Sequence, residues 1–273
     1  MASVSGCKGR MDSRDFESSI LHLLLAGRSE GELLFLLASA FIAGLARGFS
    51  GFGAALIFMP LASAVIGPQS AAPLLLIIDA VTAIGLIPDA WRRSDRKGVG
   101  IVAIGALIGI PLGTLVLTLV DPLVVRWIIV LVVMALLTLL VSGWRYHGRP
   151  AVPVTIGIGA ISGLFTGAAQ IGGPPVVAYW LGGSIASVIV RANIVLYFAI
   201  STVLTAASYL VGGLITPAVM VLSLTTGPLY GLGLCLGTRL FGQAKETTFR
   251  CVCYGLIAGA AVFGLPSLDG IMR

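Results

Sequence analysis

The chain has 273 residues, of which 58% are hydrophobic and only 10% charged, and its formal net charge is +6. Soluble domains carry roughly 25% charged residues, so a mean hydropathy of +1.05 excludes an ordinary soluble protein. The apolar runs are too long for the short alternating strands of a membrane barrel, and the positive charge, whose clearest cluster lies between two apolar spans, does not indicate nucleic acid.

Residues 1–32 read as a leader. Asp12, Asp15 and Glu17 precede the first apolar stretch, which is not a signal-peptide pattern. Ile20 to Leu25 is too short to cross a bilayer, and the choice there is an interfacial helix over 14–27 or a disordered segment. Apolar segments follow at 33–47, 52–66, 71–90, 99–120 and 123–143. Beyond a linker at 144–151 they resume at 152–168, 174–187, 191–211, 215–238 and 248–265.

The first segment of each set ends in a glycine-rich interruption. One reads Gly44-Leu-Ala-Arg-Gly48-Phe-Ser-Gly-Phe-Gly53; the other reads Gly163-Leu-Phe-Thr-Gly167-Ala-Ala-Gln-Ile-Gly172-Gly-Pro-Pro175. Aligned without a gap, Gly44, Gly48 and Gly53 fall on Gly163, Gly167 and Gly172, 119 residues later. The stretches flanking each interruption are near 15 residues, short of the ~20 needed to cross. Each pair therefore reads as a re-entrant hairpin or a broken span. Backbone groups freed by such a break are tolerated only inside protein or around a polar cavity, and matching breaks in two halves point to a transporter's binding site.

The duplication continues. Leu112-Gly-Thr114 recurs 124 residues later as Leu236-Gly-Thr238, and at that offset Gly109 falls on Gly233 and Arg126 on Arg250. One membrane repeat thus covers 33–143 and the other 152–273. Arg92, Arg93, Arg96 and Lys97 place the 91–98 loop in the cytoplasm, and Arg145 and Arg149 place the linker there. Parallel halves would put Arg239, Lys245 and Arg250 outside; inverted halves keep them inside. The expected fold is an all-α integral membrane protein with two homologous, inverted halves, eight or more membrane segments, and broken or re-entrant helices opening each half.

Candidate site residues gather at the breaks. A half-helix starting mid-membrane turns its free N–H groups and positive dipole end towards a cavity, which suits an anion. Substrate-binding candidates are Arg47, Gly48, Ser50, Gly51 and Gly53 at the first break and Thr166, Gln170, Gly172 and Gly173 at the second. Arg191, Asn193 and Tyr197 follow in the next segment, where Thr202 adds a further polar group. A guanidinium in lipid is costly and is paired or functional, so Arg47 can hold an oxyanion or answer a carboxylate. Asp79, the one carboxylate deep in a span, is the ion-coupling candidate, for a proton or sodium, unless it only neutralises Arg47. The hydroxyls can equally bond back to their own helices, and for Gly105 and Gly109 helix packing is the better reading.

Cys251 and Cys253 point to different helix faces, and apolar buried thiols are a better reading of the cysteines than a disulfide or metal site. His22 and His147 lie outside the central spans, and no paired carboxylates sit at depth, which disfavours an enzyme. No metal or cofactor is expected.

The duplicated break with following prolines (Pro60; Pro174-Pro175), the Leu-Gly-Thr repeats and the short basic loops resemble the sulfite exporter TauE/SafE family, or toluene sulfonate uptake permease group, over about residues 33–265. That resemblance implies a bacterial inner-membrane carrier of sulfite, sulfonates such as sulfoacetate, or other small organic anions. It points to Gly48–Gly53 and Gln170–Pro175 as the substrate-facing breaks. The first break departs from the glycine-rich pattern of relatives through Arg47 and Phe-Ser-Gly-Phe. The expected protein is an ion-coupled secondary transporter working by alternating access, with a small anion and the lipid bilayer as partners and a second copy as a candidate one. A passive anion channel and a carrier of non-sulfur anions are the alternatives.

Overall fold

A computed structural model describes residues 29–50, 53–143, 151–182, 187–241 and 246–268. Within them eleven α-helices and two 3-10 turns account for the regular structure, with no strand among the described residues. The leader up to residue 28, including the 14–27 segment, and the linker at 144–150 lie outside the described residues.

Helix α1 runs Glu30–Ser50 and starts slightly earlier than its apolar run, because Ser29 and Glu32 form a reciprocal cap. Ser29 Oγ accepts from the Glu32 amide at 3.3 Å, and Glu32 returns the bond to Ser29 N–H at 3.2 Å. Then come α2 (Ala54–Ile66), α3 (Pro68–Ala83), a 3-10 turn at Ile84–Leu86 and α4 (Ile87–Arg93). Helices α5 (Arg96–Leu119) and α6 (Pro122–Ser142) are each capped by an aspartate: Asp95 accepts from Gly98 N–H and Asp121 from Leu123 N–H. The second set comprises α7 (Val152–Ala169), α8 (Gly173–Leu181), α9 (Ser187–Val211), α10 (Pro217–Phe241) and α11 (Glu246–Phe263).

Among the described residues six helices (α1, α5, α6, α7, α9 and α10) are long and apolar enough to cross a membrane, or seven if α3 and α4, bent by 73°, count as one span. The expectation of eight or more membrane segments included broken and re-entrant helices, and the helices of crossing length by themselves are fewer. The breaks explain the difference. Helices α1 and α7 reach 21 and 18 residues, longer than read, whereas α2 and α8 have only 13 and 9. At ~1.5 Å per residue the short pair cover about 20 and 14 Å of a ~30 Å hydrocarbon core. Large apolar side chains such as Leu107, Leu115, Leu131 and Leu224 face outward, as a lipid-facing surface requires.

The tightest packing joins α5 to α7 and α1 to α10. Glycines make both contacts, because only a missing Cβ lets backbones approach so closely. A Cβ on Gly109 would press on the carbonyl of Ala160 and the amide of Leu164, and one on Gly163 on Ala106 and Ile110. In the other pair, a Cβ on Gly233 would press on Phe41 and Leu45, and one on Gly44 on Tyr230 and Leu234. Gly105, Gly109 and Gly113 meet α7 residues of steadily rising number, so α5 and α7 run parallel. Asn193 beside Asp95 and Ser208 beside Thr114 show that α9 runs parallel to α5 as well.

Two apolar cores flank the centre. One gathers α1, α2, α3, α6 and α11 around Phe58, Met59 and Leu74; the other packs α4, α5, α8 and α9 around Trp180 and Tyr197.

Candidate functional site

Both interruptions are real breaks in the helices. Gly53 takes a left-handed backbone (φ 100°) that L side chains rarely adopt, and it starts α2 without any side-chain cap. At the second break the left-handed residue is Gln170 (φ 60°), the one non-glycine with positive φ among the described residues. Helix α8 then starts at Gly173, also without a side-chain cap.

The second break is fastened by hydroxyls. Ser162 Oγ donates to the Gly172 carbonyl at 2.6 Å and accepts from Tyr197 Oη at 2.8 Å. Tyr209 Oη donates to the Gly167 carbonyl at 2.9 Å, satisfying a backbone acceptor that the end of α7 leaves open. Thr166 Oγ1 bonds back to the Ser162 carbonyl at 2.8 Å.

The first break is joined to the rest by charge. Arg47 Nε meets Asp79 Oδ1 at 2.7 Å, and the Tyr230 hydroxyl donates to the same oxygen at 2.6 Å. The two charged side chains keep 17% and 25% of their exposure, and what they face is a cavity of about 60 Å³. Its walls bring the two breaks together: Gly53, Ala55 and Leu56 from one, and Gln170, Ile171, Gly173 and Pro174 from the other. Thr166 and, from α9, Phe198, Ser201 and Thr202 complete it. A space of this size holds a few waters or one compact oxyanion in their place.

Five substrate-binding candidates therefore lie on one cavity, namely Arg47, Gly53, Thr166, Gln170 and Gly173, together with Asp79. Others lie elsewhere. Gly48 remains inside α1 and packs on the Leu234 carbonyl, and Gly172 is filled by Ser162 and Thr166, so both serve packing. Asn193 is fully buried and accepts from the Asp95 amide at 2.8 Å, tying α9 to the start of α5. Tyr197 braces Ser162 from behind the break, and Arg191 is exposed at the start of α9. Gly51 and the side chain of Ser50 lie outside the described residues. Cys253 is buried as expected of an apolar thiol, but Cys235 is exposed on α10.

The donors at the second helix end are also fewer than expected. Pro174 and Pro175 occupy its first turn and carry no N–H, so that end offers its dipole more than its amides. The contributors not read from the sequence include Ser162, Phe198, Ser201, Tyr209 and Tyr230. The two buried tyrosines carried a usable signal, since a phenol deep in an apolar helix needs a partner for its hydroxyl.

A bundle of apolar crossing helices that surrounds a charged central cavity between two broken helices defines a multi-pass membrane transporter. The family model described as sulfite exporter TauE/SafE matches residues 36–264, and the chain belongs to that family. That is a family of transporters, not of enzymes. No curated protein and no solved structure matches the chain.

Proposed function

We propose that the protein is a secondary transporter that carries a small sulfur-containing anion, such as sulfite, sulfoacetate or another sulfonate, across the bacterial inner membrane by alternating access. The observation that carries this reading is the single cavity shared by both helix breaks and the Arg47–Asp79 pair. A sulfonate stays ionised at physiological pH, so its site must replace lost hydration with fixed donors and positive potential. Arg47, the Gln170 side-chain amide, the Thr202 hydroxyl and two helix N-terminal ends supply both.

Inverted halves suit such a carrier, and the helix contacts support them. The residues that Gly163 meets, Ala106 and Ile110, stand 124 positions before those that Gly44 meets, Tyr230 and Leu234. The residues that Gly109 meets, Ala160 and Leu164, stand 119 positions after those that Gly233 meets, Phe41 and Leu45. These are the two offsets of the sequence repeat, so each half docks its first helix on the other half in the same manner. Helix α10 runs parallel to α1, and α9 parallel to α7. Since α9 and α10 both cross and are joined by residues 212–216, they run oppositely, which turns α1 against α7. Arg47 and Thr166 are counterparts in this scheme, facing one cavity across the axis between the halves.

The decisive measurement is flux in proteoliposomes loaded with sulfite or sulfoacetate. Uptake of labelled anion is expected to saturate and to be stimulated by unlabelled anion on the far side. Non-saturating flux without trans-stimulation would assign the same cavity to a passive channel. Transport of carboxylates with every sulfur oxyanion refused would overturn the substrate class.

Phe198 is expected to limit substrate length. Its ring lies over the start of α8, so that a Cβ on Gly173 would come within 3.2 Å of it. Phe198→Ala should raise transport of propanesulfonate relative to methanesulfonate about tenfold, in the range that apolar pockets use to discriminate chain length. An unchanged ratio would remove the ring from the selectivity wall.

A further inference from the structure

We propose that Asp79 is a built-in competitor for the anion and that its protonation releases Arg47, so that a proton is the coupling ion. This inference rests on the transporter reading above and assigns the regulation of the same cavity.

One carboxylate oxygen, Asp79 Oδ1, takes both the Arg47 Nε–H at 2.7 Å and the Tyr230 hydroxyl at 2.6 Å. The carboxylate thus holds the guanidinium much as a substrate oxyanion would, and both side chains line the cavity. An anion that enters finds the positive charge of Arg47 already answered. It also brings a second negative charge to a site with one cation. Two anionic groups crowded together at a partly buried site favour the loss of one charge by protonation. The substrate keeps its charge, so the proton goes to Asp79: carboxylate plus a proton from water becomes carboxylic acid, and the proton returns to water when the anion leaves.

The groups that face Asp79 are consistent with a local switch. Arg47 approaches from α1 and Tyr230 from α10, while α2 and α7 carry no titratable side chain. From α9, Tyr209 is turned to Gln170 and the α7 carbonyls, and Arg191 is exposed at the far start of the helix. On α6 the single charge, Arg126, donates to the Gly264 carbonyl, and the charges of α5, Arg96 and Lys97, are exposed in its first turn. Sodium suits the place poorly. It would sit beside the guanidinium as a like charge.

Binding of proton and anion are then mutually favourable, because a linkage of this kind works equally in both directions. The test uses the full chain purified in detergent, with methanesulfonate as probe because it is anionic from pH 5.5 to 8.5. Affinity is measured across that range, and proton uptake is read directly in weakly buffered solution. Wild type is expected to bind more tightly as pH falls, by up to about tenfold per pH unit, the limit for one linked proton. Each anion bound should take up as much as one proton. Asp79→Asn should bind without pH dependence and without proton uptake, whereas Asp79→Glu should retain uptake. Replacing sodium by choline should change nothing. Binding by wild type without proton uptake, a requirement for sodium, or proton uptake persisting in Asp79→Asn would each overturn the inference. The wild-type readout stands even if a variant fails to fold. Failure of methanesulfonate and sulfite to bind at any pH would instead overturn the substrate reading beneath it.

Discussion

Arg47→Gln is expected to abolish anion flux and to destabilise the protein by about 2–3 kcal/mol. Removing one partner of a buried ion pair strands the other charge, which costs about 3–5 kcal/mol in a fully enclosed site. Here Arg47 and Asp79 keep 17% and 25% of their exposure towards the cavity, and the expected cost is reduced accordingly. Tyr230 would still donate to Asp79, but one hydroxyl does not replace a guanidinium. The double variant Arg47→Gln, Asp79→Asn removes the stranded charge, because glutamine and asparagine can share a neutral hydrogen bond. It should recover most of the lost thermal stability in detergent and still carry no anion. Flux recovered together with stability would show that the arginine serves only to neutralise Asp79.

The second large effect concerns two glycines of the same helix. Gly159 packs on the carbonyl of Val102, with no room for a Cβ, whereas Gly157, two residues earlier, has nothing within 4 Å. Gly159→Ala must push α5 from α7, and overpacking of this kind costs about 1–3 kcal/mol. Gly157→Ala meets no neighbour and gains helix propensity, a change worth up to about 1 kcal/mol in the opposite sense. Thermal midpoints of the two variants should therefore move apart on either side of wild type. Equal shifts would mean that the α5–α7 seam is looser than its backbone contacts require.

Much of this protein can be read from its residues in order. The apolar runs foretold the helices because crossing lipid leaves the backbone no alternative to intrahelical bonding. Gly53, Gln170, Gly173 and Arg47 announced themselves for local reasons: glycines repeated at a break, a polar side chain beside it, prolines that obstruct a continuing helix and a charge in an apolar segment. The family resemblance rested on the duplicated break with its prolines, the Leu-Gly-Thr repeats and the short basic loops, and the family model matches residues 36–264. Other readings failed where local pattern is ambiguous. Gly48 and Gly53 look alike in sequence, but one sits on the helix face turned to Leu234 and the other, with a left-handed backbone, starts the next helix. Asn193 was singled out because an amide in lipid needs partners, and it found one in the Asp95 backbone, away from the cavity.

Composition and periodicity, then, were sufficient to establish a helical membrane protein, its two interruptions and the residue types gathered there, since each follows from the cost of placing a backbone or a charge in hydrocarbon. Which of those residues meet was decided by tertiary structure alone. Arg47, Asp79, Thr166 and Phe198 are brought to one cavity from four helices, and Tyr230 reaches Asp79 across 151 positions of chain. Such encounters depend on how α1 docks on α10 and α7 on α5, and that docking is set by the backbone surfaces the glycines leave bare.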